Sequence, residues 1–188
     1  MNVKSRQTSE TIKRLNMGCG PRHIPGWLNA DLNVGPGIDL AGDIRRGLPL
    51  DTDSIHYIVA MHMLQDLPYP DIPVALRELK RILIPGGVLR LGLPDLDKAI
   101  RAYLAGDHGY FHVPDSDAGA IGTKLVTQII WYGSVRTPFT FDCIEELLGR
   151  EGFHSVRRCA FGRTESAYPE IAHLDNRPRE SLFVEATK

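Results

Sequence analysis

Residues 56–93, HYIVAMHMLQDLPYPDIPVALRELKRILIPGGVLRLGL, contain a strand, a helix and a second strand in direct succession. The first five residues form the apolar run that is typical of a strand buried on both faces. Further along, an apolar residue recurs every three or four positions, which predicts an amphipathic helix. The residues of this stripe are Ile72, Leu76, Leu79 and Leu83. The turn Pro85-Gly86-Gly87 is expected to end the helix, and residues 88–93 to form the next strand.

The same alternation of strand-like and helix-like segments continues on both sides of this unit. Further strands are expected at residues 14–17, 27–31, 38–40, 156–161 and 181–186. Such an order is typical of parallel sheets covered by helices. It predicts an α/β fold with a Rossmann-like, mainly parallel sheet, helices on both faces and an antiparallel last strand.

The length of 188 residues suits one domain of ordinary size. Residues 1–12 are polar and are expected to form a flexible N-terminal tail, which leaves residues 13–188 as a single domain. Residues 95–139 are the least regular part and combine helical spacing with a turn-rich stretch. We expect this segment to be an insertion above the sheet.

Composition narrows the classes of function. The formal net charge of −1 lacks the basic excess of most nucleic-acid-binding surfaces, which argues against nucleic acid as a partner. No apolar stretch is long enough to span a membrane, and no secretion signal is evident. The three cysteines lack metal-ligand spacing, so we expect free thiols, no metal and a cytoplasmic location.

The segment Leu15-Asn16-Met17-Gly18-Cys19-Gly20 ends the first predicted strand. Glycines there let a ligand approach the backbone closely, and ligands of open α/β sheets bind beyond the carboxyl ends of central strands. Asp31 ends the second predicted strand, where a carboxylate accepts hydrogen bonds from both hydroxyls of a ribose. His23 stands at the third glycine position of the dinucleotide fingerprint, which counts against NAD and FAD. A simple tight turn is the alternative interpretation of this glycine pair.

Several motifs together resemble, in sequence order, those of class I S-adenosylmethionine-dependent methyltransferases, and in particular small bacterial members of the type-11-like group. The resemblance covers about residues 14–93. It includes the glycine motif and Asp31, and continues through Gly42-Asp43-Ile44, the strand followed by Met61-His62-Met63-Leu64, and Pro85-Gly86-Gly87.

The resemblance implies S-adenosylmethionine as the cofactor and assigns roles to individual residues. Gly18, Cys19 and Gly20 would face the methionine part and Asp31 the ribose; Asp43 with Ile44 would hold the adenine, and Ala60 with Met61 would lie beside the sulfonium. Two positions depart from the family pattern. Arg22 replaces its third glycine, and Gln65-Asp66 replaces a Glu-His pair.

Methyl transfer from a sulfonium is an in-line displacement, in which the cofactor supplies the reactive group and the protein supplies alignment. If a general base takes part, His62 is the candidate, because it follows the fourth strand and titrates near neutrality. A structural histidine bonded to nearby backbone is the alternative. By elimination, residues 95–139 and the loop 162–180 should shape the acceptor site, with residues 95–139 as the acceptor-side lid; arginines near these segments, among them Arg136 and Arg177, could meet a phosphate or carboxylate.

Three functions remain open at this stage. The first is methyl transfer to a small-molecule or glycan acceptor, by an enzyme that could be a homo-oligomer. The second is a catalytically weak or inactive partner subunit that binds S-adenosylmethionine. The third is another nucleotide-binding α/β enzyme, although the Tyr-x-x-x-Lys motif of a reductase is absent.

Overall fold

The computed structural model describes residues 13–188 and contains a seven-stranded sheet with the strand order β3-β2-β1-β4-β5-β7-β6. Strands β1 to β5 pair in parallel, whereas β7 runs antiparallel to both β5 and β6. The strands are β1 Arg14–Met17, β2 Leu28–Asp31, β3 Leu40–Ala41, β4 Ile55–Met61, β5 Leu83–Pro94, β6 His154–Cys159 and β7 Ser181–Thr187. The predicted Rossmann-like, mainly parallel sheet with an antiparallel last strand is confirmed. The predicted tail, residues 1–12, lies outside the described residues.

Four α-helices accompany the sheet, namely α1 Ile72–Ile82, α2 Leu96–Leu104, α3 Ile121–Ile130 and α4 Phe141–Arg150. Helix α1 forms where the apolar stripe predicted it, and Ile72, Leu76 and Leu79 are all fully buried. Its end differs from the prediction, because Leu83 and Pro85-Gly86-Gly87 belong to β5. Leu83 is paired with Ile55 of β4, so the sheet begins before the glycine turn.

The main core lies on one face of the sheet, where α1 and α4 pack. Alternate residues of β4, such as Ile58 and Ala60, belong to the same buried apolar cluster as Leu76 of α1 and Leu148 of α4. The intervening β4 residues, Tyr57 and Val59, point to the opposite face, as the two-residue period of a strand requires.

Around β4, the opposite face is covered by a loop and a short 3-10 helix. Ile171 in the 3-10 helix Pro169–Ala172 and Leu174 just after it pack with Trp27, Tyr57 and Val59. The ring of Tyr57 lies edge-on to Trp27 at a centroid distance of 5.2 Å. The long segment between β6 and β7 therefore forms part of the core.

The connection from β1 to β2 is a series of turns, with no helix assigned. The buried side chain of Asn29 holds it in place. Its Oδ1 accepts hydrogen bonds from Asn16 Nδ2 (3.1 Å) and Ile24 N (2.9 Å), and its Nδ2 donates to the carbonyl oxygens of Ile24 and Trp27. An amide side chain thus satisfies backbone groups that a crossover helix would otherwise pair.

None of the helices within residues 13–188 has the length and apolar content that crossing a bilayer requires.

Candidate active site

A crevice of about 460 Å³ lies at the carboxyl ends of β1 and β2. Gly18 and Gly20 line it, with left-handed φ angles of 67° and 51° that favour glycine. The backbone N–H groups of Gly18 and Cys19 both donate to the carbonyl of Ala30, at 2.8 and 3.1 Å. These two bonds extend the contact between β1 and β2 beyond the strands and fix the shape of the glycine turn.

Asp31 ends β2 and lines the same crevice. Its carboxylate accepts hydrogen bonds from two backbone N–H groups, that of Gly20 at 2.9 Å and that of Asn33 at 3.1 Å. A carboxylate has about four acceptor positions, so Asp31 retains capacity for a diol. The two backbone bonds orient the group before any ligand arrives.

Asp43 and Ile44 form the far wall of the crevice. The Asp43 carboxylate accepts two hydrogen bonds from the Arg45 side chain, Nε to Oδ1 at 2.9 Å and Nη2 to Oδ2 at 2.8 Å. These bonds to Arg45 hold the pKa of Asp43 below its usual value. Ile44 is buried and presents an apolar surface, so the pair offers both a hydrogen-bond acceptor and a flat apolar contact.

Three residues that the family resemblance assigned to the cofactor are not among those lining the crevice. Cys19 is buried, and burial raises the pKa of its thiol. Ala60 packs in the core under α1, and Met61 packs against the opposite core. The residues that reach the crevice from the end of β4 are instead His62 and Met63, since the chain turns immediately after the strand.

Met63 lies directly over the glycine turn. A Cβ atom added to Gly18 would stand 2.5 Å from Met63 Cγ, closer than real contacts allow. Glycine at position 18 is therefore required twice, by its φ angle and by the approach of this side chain.

A second cavity of about 240 Å³ adjoins the crevice. His62 and Asp66 line both of them and so form a shared wall. Residues 95–139 supply ten of the sixteen residues that line this second cavity. Residues 95–139, which the sequence predicts to lie above the sheet, thus enclose a space beside the crevice, on the side away from β2.

His62 is held in an uncommon conformation, with a left-handed φ of 54°. Its Nε2 lies 3.0 Å from Ser181 Oγ, and that hydroxyl donates to the carbonyl of Asn176 at 3.1 Å. Because the hydroxyl proton points to Asn176, Nε2 carries the ring proton and Nδ1 is the acceptor nitrogen. Nδ1 is buried and has no hydrogen-bond partner among the described residues.

Burial, and secondly the charge of Arg177, lower the pKa of His62 to about 4. The ring is therefore neutral at physiological pH. The neighbouring Asp66 carboxyl has a raised pKa because the protein around it partly removes its water. The shared wall thus combines a neutral imidazole with a carboxylate.

Gln65 and Glu180 line the second cavity and were not predicted as site residues, whereas Arg177 is one of the arginines expected near the acceptor site. Ser181, which supports His62, was not predicted either. Gln65-Asp66 replaces a Glu-His pair of the family pattern, and this difference could have indicated that Gln65 belongs to the site. Arg177 and Glu180 come from the long segment before β7, whose position depends on tertiary packing.

Within residues 13–188, no group of three or more His, Cys, Asp or Glu side chains is arranged to hold a metal ion.

A family model described as a methyltransferase domain matches residues 28–91, which run from β2 into β5. This range contains Asp31, Asp43, His62 and Asp66 and excludes most of the second cavity. No curated protein sequence matches the chain.

Solved structures of methyltransferases share the fold over nearly the whole chain. One is an S-adenosylmethionine-dependent methyltransferase from Thermotoga maritima, described as a possible histamine N-methyltransferase. It has a TM-score of 0.58 and 18% identity, with 94% of this chain and 82% of that chain covered. Another, from Mesorhizobium loti, has a TM-score of 0.53 and 20% identity, with 94% and 91% covered. At identities of 18% and 20%, the structural similarity establishes the fold alone.

The domain match and the fold agree with the glycine turn and carboxylate at the ends of β1 and β2. Residues 28–91 thus match a methyltransferase domain, and the chain has the fold of S-adenosylmethionine-dependent methyltransferases.

Proposed function

We propose that this enzyme transfers the methyl group of S-adenosylmethionine to a small-molecule or glycan acceptor by in-line displacement. The observation that supports this most strongly is the wall of His62 and Asp66, which borders both cavities. In a displacement, the attacking atom and the leaving sulfur lie on opposite sides of the methyl carbon. Two adjoining cavities that meet at one wall satisfy this requirement, and alignment of this kind supplies about 7–11 kcal/mol.

The crevice is the proposed cofactor site. Asp31, already oriented by Gly20 and Asn33, would bind the ribose hydroxyls with its remaining acceptor positions. Asp43 and Ile44 would hold the adenine, and the turn at Gly18 and Gly20 the methionine part. The bound group supplies an activated methyl on a sulfonium, and the chain's residues supply position and electrostatics.

His62 is the proposed catalytic residue, with a limited role. Its neutral ring places no positive charge beside a sulfonium, and its Nδ1 is an acceptor nitrogen with no partner among the described residues. A base with a pKa of about 4 is weak, so we expect its contribution to lie near the lower end of general-base catalysis, roughly 10²-fold.

The second cavity is the proposed acceptor site, and residues 95–139 are its lid. The support is that most of the lining comes from this segment, including Tyr110, Gln128 and Trp131. We further propose that residues 13–188 form one domain, since the lid and the sheet share the wall at His62 and Asp66.

The test is a calorimetric titration with S-adenosylhomocysteine. The wild-type protein should bind it, and Asp31→Ala should weaken binding at least about tenfold, because a charged acceptor of two hydroxyls is removed. His62→Ala should retain binding and slow turnover by about 10²-fold. The matched control is Asp51→Ala, an exposed carboxylate outside the crevice, which should bind as wild type does.

Absence of binding to the wild-type protein would overturn the proposed function. Equal loss of binding in Asp31→Ala and His62→Ala would overturn the assignment of roles. Binding without turnover on any acceptor would identify the chain as the inactive cofactor-binding subunit that its sequence left open.

A further inference from the structure

Several of the polar groups that line the acceptor cavity accept hydrogen bonds. Gln65 is only 5% exposed, lines the cavity, and its Oε1 has no hydrogen-bond partner among the described residues. Nδ1 of His62 is also buried and has no hydrogen-bond partner among the described residues. A buried acceptor without a donor costs free energy unless a ligand supplies one. These two atoms indicate a ligand that donates hydrogen bonds.

The charges around the cavity are mostly negative. Three carboxylates line it, those of Asp66, Asp95 and Glu180, against the single cation of Arg177. His62 is neutral, as shown above, so the charged side chains of the lining sum to about −2. Tyr110 also lines this cavity. Burial and, secondly, the negative charges of Asp95 and Glu180 raise the pKa of its hydroxyl to about 12.

The carboxylates differ in how well they are already paired. Asp95 Oδ1 accepts from Lys98 N at 3.1 Å at the start of α2, so this carboxylate has a structural role. Glu180 has only distant partners, Arg177 Nε at 4.0 Å and His112 Nε2 at 3.6 Å. Asp66 has the Gln65 side chain as a hydrogen-bond partner and feels the charges of Arg136 and Arg177, but it forms no ion pair within residues 13–188. The carboxylates of Asp66 and Glu180 therefore retain capacity to bind a cation.

Aromatic and apolar side chains complete the cavity. Trp131 and Tyr110 lie in its lining together with Ile129 and Val135. Indole and phenol faces attract cations as well as apolar surface. The lining of the cavity thus combines two available carboxylates, Asp66 and Glu180, with aromatic and apolar side chains.

We infer that the methyl acceptor is a small amine, bound as its ammonium form by Asp66 and Glu180 with its carbon skeleton against Trp131. This inference rests on the proposed function and specifies the acceptor class. A neutral hydroxyl compound would satisfy Gln65 but would leave the excess negative charge of the lining unmatched. A phosphorylated or carboxylated acceptor would meet repulsion from the same wall.

The chemical step balances with the groups present. The ammonium first gives one proton to a carboxylate of the wall, which frees the nitrogen lone pair. That lone pair forms the N–C bond to the methyl carbon while the C–S bond breaks, and the electron pair of the broken bond stays on sulfur. The product is a methylated ammonium, whose positive charge again matches the wall.

The test compares amines with alcohols of the same skeleton. Calorimetry in saturating S-adenosylhomocysteine would measure the binding of phenethylamine against phenethyl alcohol and of butylamine against butanol. We expect each amine to bind at least about tenfold more tightly than its alcohol, the factor that one charge-assisted hydrogen bond supplies. Glu180→Gln and Asp66→Asn should each reduce this preference. Glu146→Gln, an exposed carboxylate on α4, is the matched control and should preserve it.

Different outcomes would overturn the amine acceptor and the proposed methyl transfer. If S-adenosylhomocysteine binds but no amine is preferred over its alcohol, the inference is wrong and the proposed function stands. If the preference is present but survives both substitutions, the carboxylate wall is not its cause and the inference is equally overturned. If S-adenosylhomocysteine does not bind, the proposed function fails, and the inference fails with it.

Discussion

The most informative single residue is His62. Its left-handed backbone would be strained in isolation, and it is held by the hydrogen bond from its N–H to the carbonyl of Gly92 (2.8 Å) as well as by Ser181. Strained residues of this kind cluster at functional sites, because the surrounding fold must maintain them. His62 is thus both the strained residue and a residue that lines both cavities, which supports a functional role for it.

The depressed pKa of His62 predicts a specific pH dependence of stability. Its folded pKa of about 4 lies below the ordinary 6.5, so the unfolded chain binds the proton more readily. Stability should therefore fall as the pH drops from about 6.5 toward 4, by up to about 1.4 kcal/mol per pH unit. In His62→Asn, which tolerates the left-handed conformation, this component should be absent.

Urea unfolding of both proteins between these pH values gives the measurement. The wild-type free energy of unfolding should decline more steeply than that of His62→Asn as the pH falls. Parallel curves would contradict a buried neutral His62, and the other histidines cancel because they are present in both proteins.

At the residue level, the sequence predicted part of the site. Gly18, Gly20 and Asp31 follow strands whose carboxyl ends meet, and that geometry is implicit in a parallel sheet. Residues within β4 were harder to assign, because a shift of one position turns a side chain from the crevice to the core. Met61 and His62 illustrate this, since the first packs inward and the second lines both cavities.

At the level of elements, the segment between β6 and β7 is fixed by a buried ion network. Arg90 on β5 is fully buried and donates to Asp175 through Nε at 2.6 Å and to Glu185 of β7 through Nη1 at 2.7 Å. It also donates to the carbonyl oxygen of Arg163. This network ties the segment to the sheet and thereby places Arg177, which follows Asp175 closely, at the acceptor cavity.

Removing the central cation should therefore destabilise the protein strongly. Arg90→Met leaves buried Asp175 without its cation and Glu185 with only Arg157, at 3.3 Å, and we expect a loss of about 3–5 kcal/mol. The control is Arg77→Ala, which removes an exposed arginine paired with Glu151 and should cost no more than about 1 kcal/mol. Urea unfolding of both variants measures the difference, and equal effects would show that the buried network does not anchor the segment.

Element positions were predictable where apolar periodicity was strong. Helix α1 and strands β4 and β7 form close to their predicted bounds because burial on one or both faces fixes their pattern. The role of Arg90 was not predictable, since a lone arginine in an apolar strand gives no indication of Asp175 and Glu185. Those partners are 85 and 95 residues away in the chain.

At the scale of the whole molecule, two tryptophans report on different regions. Trp27 is buried in the core on the face of the sheet opposite α1 and α4, whereas Trp131 lies at the acceptor cavity and is 40% exposed. If residues 13–188 form one domain, the lid and the sheet should unfold together. Fluorescence of Trp131→Phe, which leaves Trp27, and of Trp27→Phe, which leaves Trp131, should give the same midpoint in urea as far-ultraviolet circular dichroism.

An earlier transition for the protein that retains Trp131 would contradict the single domain. It would show that residues 95–139 open independently of the sheet.

The position of the cofactor's sulfur decides whether donor and acceptor are arranged as proposed, and a crystal structure with bound S-adenosylhomocysteine measures it directly. We predict that the ribose hydroxyls contact Asp31 and that the sulfur faces the wall of His62 and Asp66, toward the cavity enclosed by residues 95–139. A ligand bound elsewhere, or a sulfur directed away from that wall, would contradict the proposed arrangement of donor and acceptor.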